Sequence, residues 1–269
     1  MTDVEIAIAA AHAGASIVTR DFPAPGPVEL KGHNNPVTAT DTAAEAAIVS
    51  LLRDERPEDG ILGEEGSDLS GTNGGADRRW IIDPLDGTVN FVHGYPHVAV
   101  SIALYRGDEP RVGVILDPLR GETFVAVAGS GATLNGSAIA VSAAPSLDGT
   151  LLGIGFPYDR HNRAAAYTAS VTRALEVAAG VRRGGSAALD FAWVAAGRLD
   201  GYWEFDLAPW DLAAGILLVR EAGGKVTDPF GSDSTPWRRP CVASNGAIHR
   251  ELLQLLATEI PPHITQDPA

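Results

Sequence analysis

Residues 80–91, "WIIDPLDGTVNF", decide how this chain is read. Trp80, Ile81 and Ile82 form a short apolar run of the kind that builds a buried strand, and Asp83 closes it. Pro84 turns the chain, and Asp86 follows three positions after Asp83. A core strand therefore ends by aiming two carboxylates at one small volume. Two negative charges so placed repel each other unless a positive group lies between them.

Working outward, further strands are predicted at "GILGE", "VAVSIALY", "RVGVILD" and "TFVAVAG", parted by Gly, Asp and Pro. That pattern predicts an antiparallel sheet with short connections. Before it, Val4, Ile8, Ala11, Ala15 and Val18 recur at helical spacing over residues 3–20, and "FPAPGP" breaks that helix. "TATDTAAEAAIVSLLRDERP" predicts a second helix, with a capping box from Thr42 to Glu45 and a stop at Pro57. After residue 145 helices and strands alternate. Strands are expected at "TLLGIGF", "GVRRGG", "DGYWEF", "KVTDP" and "CVASN". Helices are expected over 163–178, 186–196, "PWDLAAGILLVREAGG" and 246–259. With no repeat and no low-complexity linker, the chain divides into subregions 1–145 and 146–260, followed by a flexible tail at 261–269.

The 269 residues are 45% hydrophobic and 20% charged, an ordinary globular composition. A net charge of -14 argues against non-specific binding to nucleic acid or anionic lipid. Cys241 is the only cysteine, so neither an intrachain disulfide nor a Cys-based zinc site can form. No apolar run approaches membrane-spanning length, and the start carries no basic n-region. A cytoplasmic protein is expected.

Three acidic groupings stand apart. "LGEEG" holds Glu64 and Glu65, "DPLDG" holds Asp83 and Asp86, and "PWDLAAG" puts Asp211 in the first turn of an apolar helix. Each has a plainer reading: a polar turn for the first two, and a charge answering the helix dipole for Asp211. Together they sit where apolar elements meet loops, and clustered carboxylates suit hard cations, Mg2+ above all. Gly87 would let backbone amides approach a phosphate, while Thr88 either bonds a water or caps its own turn. His93 and His97, four apart around a "GYP" turn, do not make a metal pair. Trp210 is expected to pack, and the "RR" pairs at 182–183 and 238–239 to be solvated.

"GEEG", "WIIDPLDGTVNFVHGYPHVAVSIAL" and "PWDLAAGILLVREAGG", in that order, resemble the signature blocks of the inositol monophosphatase family. The likeness runs from "NPVTATD" near residue 40 to "VASN" near 244. It implies an α+β fold, a layered αβαβα sandwich shared with fructose-1,6-bisphosphatase, in a homodimer. It implies an inositol-phosphate phosphatase, a phosphoric monoester hydrolase dependent on Mg2+ and inhibited by Li+. Carried over by position, Glu64, Asp83, the Leu85 carbonyl, Asp86 and Asp211 would be metal ligands, with Glu65 supporting them from behind. Asp41, Thr88 and Glu64 would be catalytic, Asp41 and Thr88 orienting the attacking water. The Gly87 and Thr88 amides would hold phosphate; Gly185, Ser186 and Ala187 would line the sugar pocket and Glu204 bind the polyol, with Asp86 and Asp211 also counted among the substrate-binding residues. Lys31 falls near the family's early lysine, across "GHNN". Asp206 departs from a frequent glycine but tolerates left-handed backbone. "FPYDR" has no assigned contact.

The expected activity is hydrolysis of myo-inositol 1-phosphate by metal-activated water. Histidinol phosphate, fructose 1,6-bisphosphate and a 3'-phosphonucleotide are rival substrates, and a non-catalytic regulatory protein of the same fold is the rival class.

Overall fold

The computed structural model describes residues 1–22, 24, 26–32, 35–72, 77–158, 160–237 and 241–257. "GHNN" in part, the arginines at 238–239, the end of the last expected helix and the tail lie outside the described residues.

The strand Arg78–Asp86 is central to an eight-stranded sheet. Side chains alternate across a strand, so its two faces must be matched separately. Trp80 and Ile82 enter one buried cluster, with Val100, Ile102 and Leu104 from the neighbouring strand Ala99–Arg106. Ile81 enters another, with Ala99, Ala103 and Tyr105. These strands are buried on both faces, which is why they are continuous apolar runs in sequence. The pairing is antiparallel almost throughout, but Gly60–Gly63 runs parallel to Arg78–Asp86, correcting the all-antiparallel expectation. The short strand Asp68–Leu69 lies between these two strands in sequence, pairs antiparallel with Gly60–Gly63, and so returns the chain to start again in the same direction.

Helices Asp3–Asp21 and Ala39–Glu55 cover one face of this sheet. Helices Ala187–Ala195 and Pro209–Glu221 cover the other. The second pair also packs against a five-stranded sheet built from Leu151–Ile154, Gly180–Arg182, Gly201–Glu204, Lys225–Thr227 and Cys241–Ser244. Helices Arg160–Val177 and His249–Leu256 close its far side. The order is helix, sheet, helix, sheet, helix, an αβαβα sandwich of α+β class. The two sheets divide between Ile139 and Leu151.

Two local readings change. The second helix starts at Ala39, capped by Thr38 and Asp41 in a reciprocal box, so Thr42 and Glu45 lie inside it. The hairpin of Val28–Gly32 with Asn35–Thr38 and the short helix Thr88–Val92 carry no apolar period that would have announced them.

Candidate active site

Small residues on the inner face of the large sheet let helix Pro209–Glu221 approach closely. A side chain at Gly113 would meet the Ala214 carbonyl oxygen at 2.9 Å. Tyr105 donates to the Ala213 carbonyl at 3.1 Å, and Ser101 to the Trp210 carbonyl at 3.3 Å. Trp210 packs on the surrounding core, as expected. This docking carries Asp211 to the end of the strand bearing Asp83 and Asp86. One carboxylate oxygen from each of the three lies within 4.8 Å of the others.

Each member is held. Asp83 accepts from the Leu85 amide at 3.0 Å, a turn made at Pro84. Asp86 accepts through Oδ2 from Ser186 Oγ at 2.5 Å and the Ala188 amide at 2.8 Å. Asp211 accepts from the Ala208 amide at 2.7 Å. None of the three forms an ion pair among the described residues. Burial, then the charges of Glu64, Asp86 and Asp211, pushes the Asp83 carboxyl well above the usual carboxylate range. Burial, then Asp86 and Glu64, does the same to Asp211. Asp86 is also raised by burial, though its hydrogen bonds oppose the shift. Such a group is unfavourable as a set of anions, and its oxygen donors fit a hard cation that would relieve the repulsion.

Glu64 is raised to about 7, chiefly by burial, while nearby Lys31 opposes the shift. Lys31 reaches Glu65 Oε1 at 2.6 Å and Glu64 Oε1 at 3.4 Å. Thr88 Oγ1 lies 2.9 Å from Asp41 Oδ1 and 3.1 Å from the Leu85 carbonyl oxygen. The other Asp41 oxygen accepts from the Thr38 amide and hydroxyl. Gly87 has φ 94°, and a Cβ there would meet the His97 carbonyl oxygen at 3.0 Å, so the bend requires glycine.

A cavity of about 300 Å³ opens beside this group, lined by Asp86, Gly87, Gly185, Ala187, Glu204 and Asp211 among others. Ser186 stands behind its wall, capping helix Ala187–Ala195 while it donates to Asp86. Glu204 closes its strand, accepts from Tyr202 Oη at 2.5 Å and is pushed up to about 7, chiefly by burial. A Cβ at Gly155 would fall 1.6 Å from Glu204 Oε2, so that glycine makes the carboxylate's space. Asp206 adopts φ 66°, the left-handed turn expected of it, and lines the cavity.

The unassigned "FPYDR" stretch supplies Phe156, Pro157, Tyr158 and Arg160 to the same cavity. Both arginines at 182–183 are exposed, as expected, but Arg183 also lines this cavity. Nothing local distinguishes it from Arg182; tertiary packing alone aims the two apart. His93 is exposed, whereas His97 is buried with its ring edge-on to Trp193 at 4.9 Å, and burial drops its pKa to about 4. Sequence reasoning also missed Glu45, a buried acid one helical turn after Asp41. Its position on the same helix face as Asp41 was the available signal.

No described helix is long and apolar enough to cross a membrane. The model of the inositol monophosphatase family matches residues 2–264. The chain is 43% identical to the Nus factor SuhB of Pseudomonas aeruginosa over 97% of this chain and 98% of that one. It is 43% identical to an inositol-1-monophosphatase of Rhizobium meliloti over 87% of each chain. The solved inositol monophosphatase of Anabaena (Nostoc) sp. superposes with a TM-score of 0.85 at 40% identity, covering 97% of this chain and 98% of that structure. A carboxylate cluster between two packed sheets, carried on a backbone and sequence shared along nearly the whole length, places this chain in the inositol monophosphatase family.

Proposed function

We propose that the chain is a Mg2+-dependent phosphomonoesterase acting on a polyol phosphate, with myo-inositol 1-phosphate as the expected substrate. The observation that carries this reading is the convergence of Asp83, Asp86 and Asp211 within 4.8 Å, beside the Thr88–Asp41 pair. Those three carboxylates, with Glu64 and the Leu85 carbonyl, would hold the metal. When bound, Mg2+ neutralises phosphate oxygens and lowers the pKa of water.

The chain's own groups do the rest. Asp41 accepts the Thr88 hydroxyl proton, so a lone pair on Thr88 Oγ1 is free to take a hydrogen bond from the attacking water. A proton moving onto Thr88 Oγ1 can be matched by the threonine proton moving onto Asp41 Oδ1. Gly87 and Thr88, at the start of a helix, offer amides to the phosphate. Lys31 holds Glu64 and Glu65 together at the cluster's edge. Glu204, oriented by Tyr202, accepts from hydroxyls of the alcohol. A small-molecule phosphate monoester as substrate, a cytoplasmic setting, a homodimer and the absence of a nucleic-acid or membrane partner belong to the same proposal.

Phosphate release from myo-inositol 1-phosphate, histidinol phosphate, fructose 1,6-bisphosphate and a 3'-phosphonucleotide, each with Mg2+ or with chelator, tests it. Turnover should be fastest on the inositol ester, vanish with chelator and slow in millimolar Li+. Undiminished turnover after exhaustive metal removal would overturn the mechanism. A second reading is favoured by the name Nus factor borne by relatives at 43% identity: a role that does not need catalysis. No release from any of the four esters in Mg2+ would select it.

A further inference from the structure

We infer that Glu45, which takes no part in the proposed chemistry, is the positioning residue that makes the Glu64–Glu65 turn competent to bind metal. This rests on the metal reading above. Glu45 is 4% exposed and lies on helix Ala39–Glu55, where its carboxylate enters the turn joining strands Gly60–Gly63 and Asp68–Leu69. Oε2 accepts from the Glu65 amide at 2.8 Å. Oε1 accepts from the Ser67 amide at 3.0 Å and the Ser67 hydroxyl at 2.7 Å. No side-chain cation pairs with Glu45 among the described residues; three donors from one turn offset its charge.

The turn is built around this carboxylate. A Cβ at Gly63 would stand 2.5 Å from Glu45 Oε2 and 2.7 Å from its carboxyl carbon, so the glycine there is the opening through which the acid enters. Gly66 takes φ 111°, a conformation open to few other residues. With a glycine at each end, the Glu64–Glu65 pair has little intrinsic stiffness. The Gly63 amide closes the turn on the Ser67 carbonyl at 2.7 Å, and the Glu64 amide donates to the Ile82 carbonyl at 3.3 Å. Glu45 takes the Glu65 amide, the backbone donor that these two bonds leave over in the acidic middle. The same helix face carries Asp41, whose carboxylate takes the Thr88 hydroxyl. One rigid helix thus sets both the Thr88–Asp41 pair and the Glu64 turn.

Both oxygens are required, which makes the test sharp. A glutamine offers one acceptor, so Glu45→Gln keeps the volume but faces an amide NH2 against either the Glu65 amide or the Ser67 donors. Groups that orient ligands from behind typically change metal affinity by about 10- to 100-fold. Calorimetric titration of the full chain with Mg2+, without substrate, should show Glu45→Gln weakening binding by about 10-fold or more. The Mg2+ concentration for half-maximal turnover should rise in step, with kcat at saturating Mg2+ within about 3-fold of wild type. Ser67→Ala, which removes one donor and leaves Glu45 in place, should shift Mg2+ affinity in the same direction by a smaller factor. It also serves if Glu45→Gln does not fold. A lower unfolding temperature with unchanged Mg2+ affinity in the folded variants would make Glu45 a core anchor only and overturn the inference. If wild type itself takes up no Mg2+, the metal reading fails and this inference falls with it.

Discussion

Replacing Asp86 by asparagine should make the metal-free protein more stable and the enzyme nearly inactive. The oxygen of Asp86 that accepts from Ser186 and Ala188 can be supplied by the asparagine carbonyl. The new NH2 then occupies the other side of the group, as a donor in place of an anion. At separations up to 4.8 Å, each carboxylate pair of the triad, when both are ionised, repels by about 3.5 kcal/mol or more at an effective dielectric near 20. Asparagine removes two of the three pairs. Protonation already relieves part of that repulsion in the metal-free protein, since Asp83 and Asp211 are raised well above their ordinary range. We therefore expect a net gain of roughly 1–3 kcal/mol, or about 2–6 °C in unfolding temperature for a chain of this size. Calorimetric unfolding in chelator at neutral pH measures it. With Mg2+ at about 100 times its dissociation constant, wild type should recover about 2.7 kcal/mol, whereas the variant should recover less. Turnover should fall about 10²-fold or more, as on removing a preorganised electrostatic contact. A variant that unfolds no later than wild type in chelator and turns over near the wild-type rate at saturating Mg2+ would refute the reasoning and leave Asp86 a turn residue.

Glu204→Gln should lower kcat/KM on inositol phosphate by one to two decades more than on p-nitrophenyl phosphate. A hydrogen bond from a hydroxyl to a charged acceptor contributes about 1.5–3 kcal/mol; equal losses on both substrates would assign Glu204 to the fold. Glu64 and Glu204 stand near 7 in the folded chain against an ordinary 4.5, so the folded state binds more protons than the unfolded one between those values. Metal-free stability should therefore fall as pH rises from about 4.5 to about 7, a slope that urea titrations in chelator at pH 5 and 7.5 would reveal and saturating Mg2+ should flatten. Gly215→Ala would set a Cβ 2.4 Å from Phe191 Cγ, between the two middle-layer helices. Overpacking of about 1–3 kcal/mol should lower the urea midpoint; an unchanged midpoint would show that the helices can part without cost.

The buried strands and the acids were legible in the order of residues alone. Trp80–Ile82 and Val98–Leu104 are apolar at every position or nearly so, and only burial on both faces satisfies that. Asp83, Asp86 and Asp211 were legible because each stands where an apolar element meets a loop, and together they are more acid than turns and a helix dipole call for. The sequence could not determine which distant side chains complete the site. Asp86 is held by Ser186, 100 positions away. Asp211 reaches the cluster because a glycine at 113 lets one helix sink onto the sheet. Glu45 passes locally for half of a capping box until the layers close around it, and Arg183, though exposed, is seen to line the cavity only in the folded chain. A period along the chain reports which face of an element is buried; it carries no information about what that face meets. The meeting is fixed by side-chain volumes and by the few backbone positions, such as Gly63, Gly113 and Gly155, where the absence of a Cβ lets another element in.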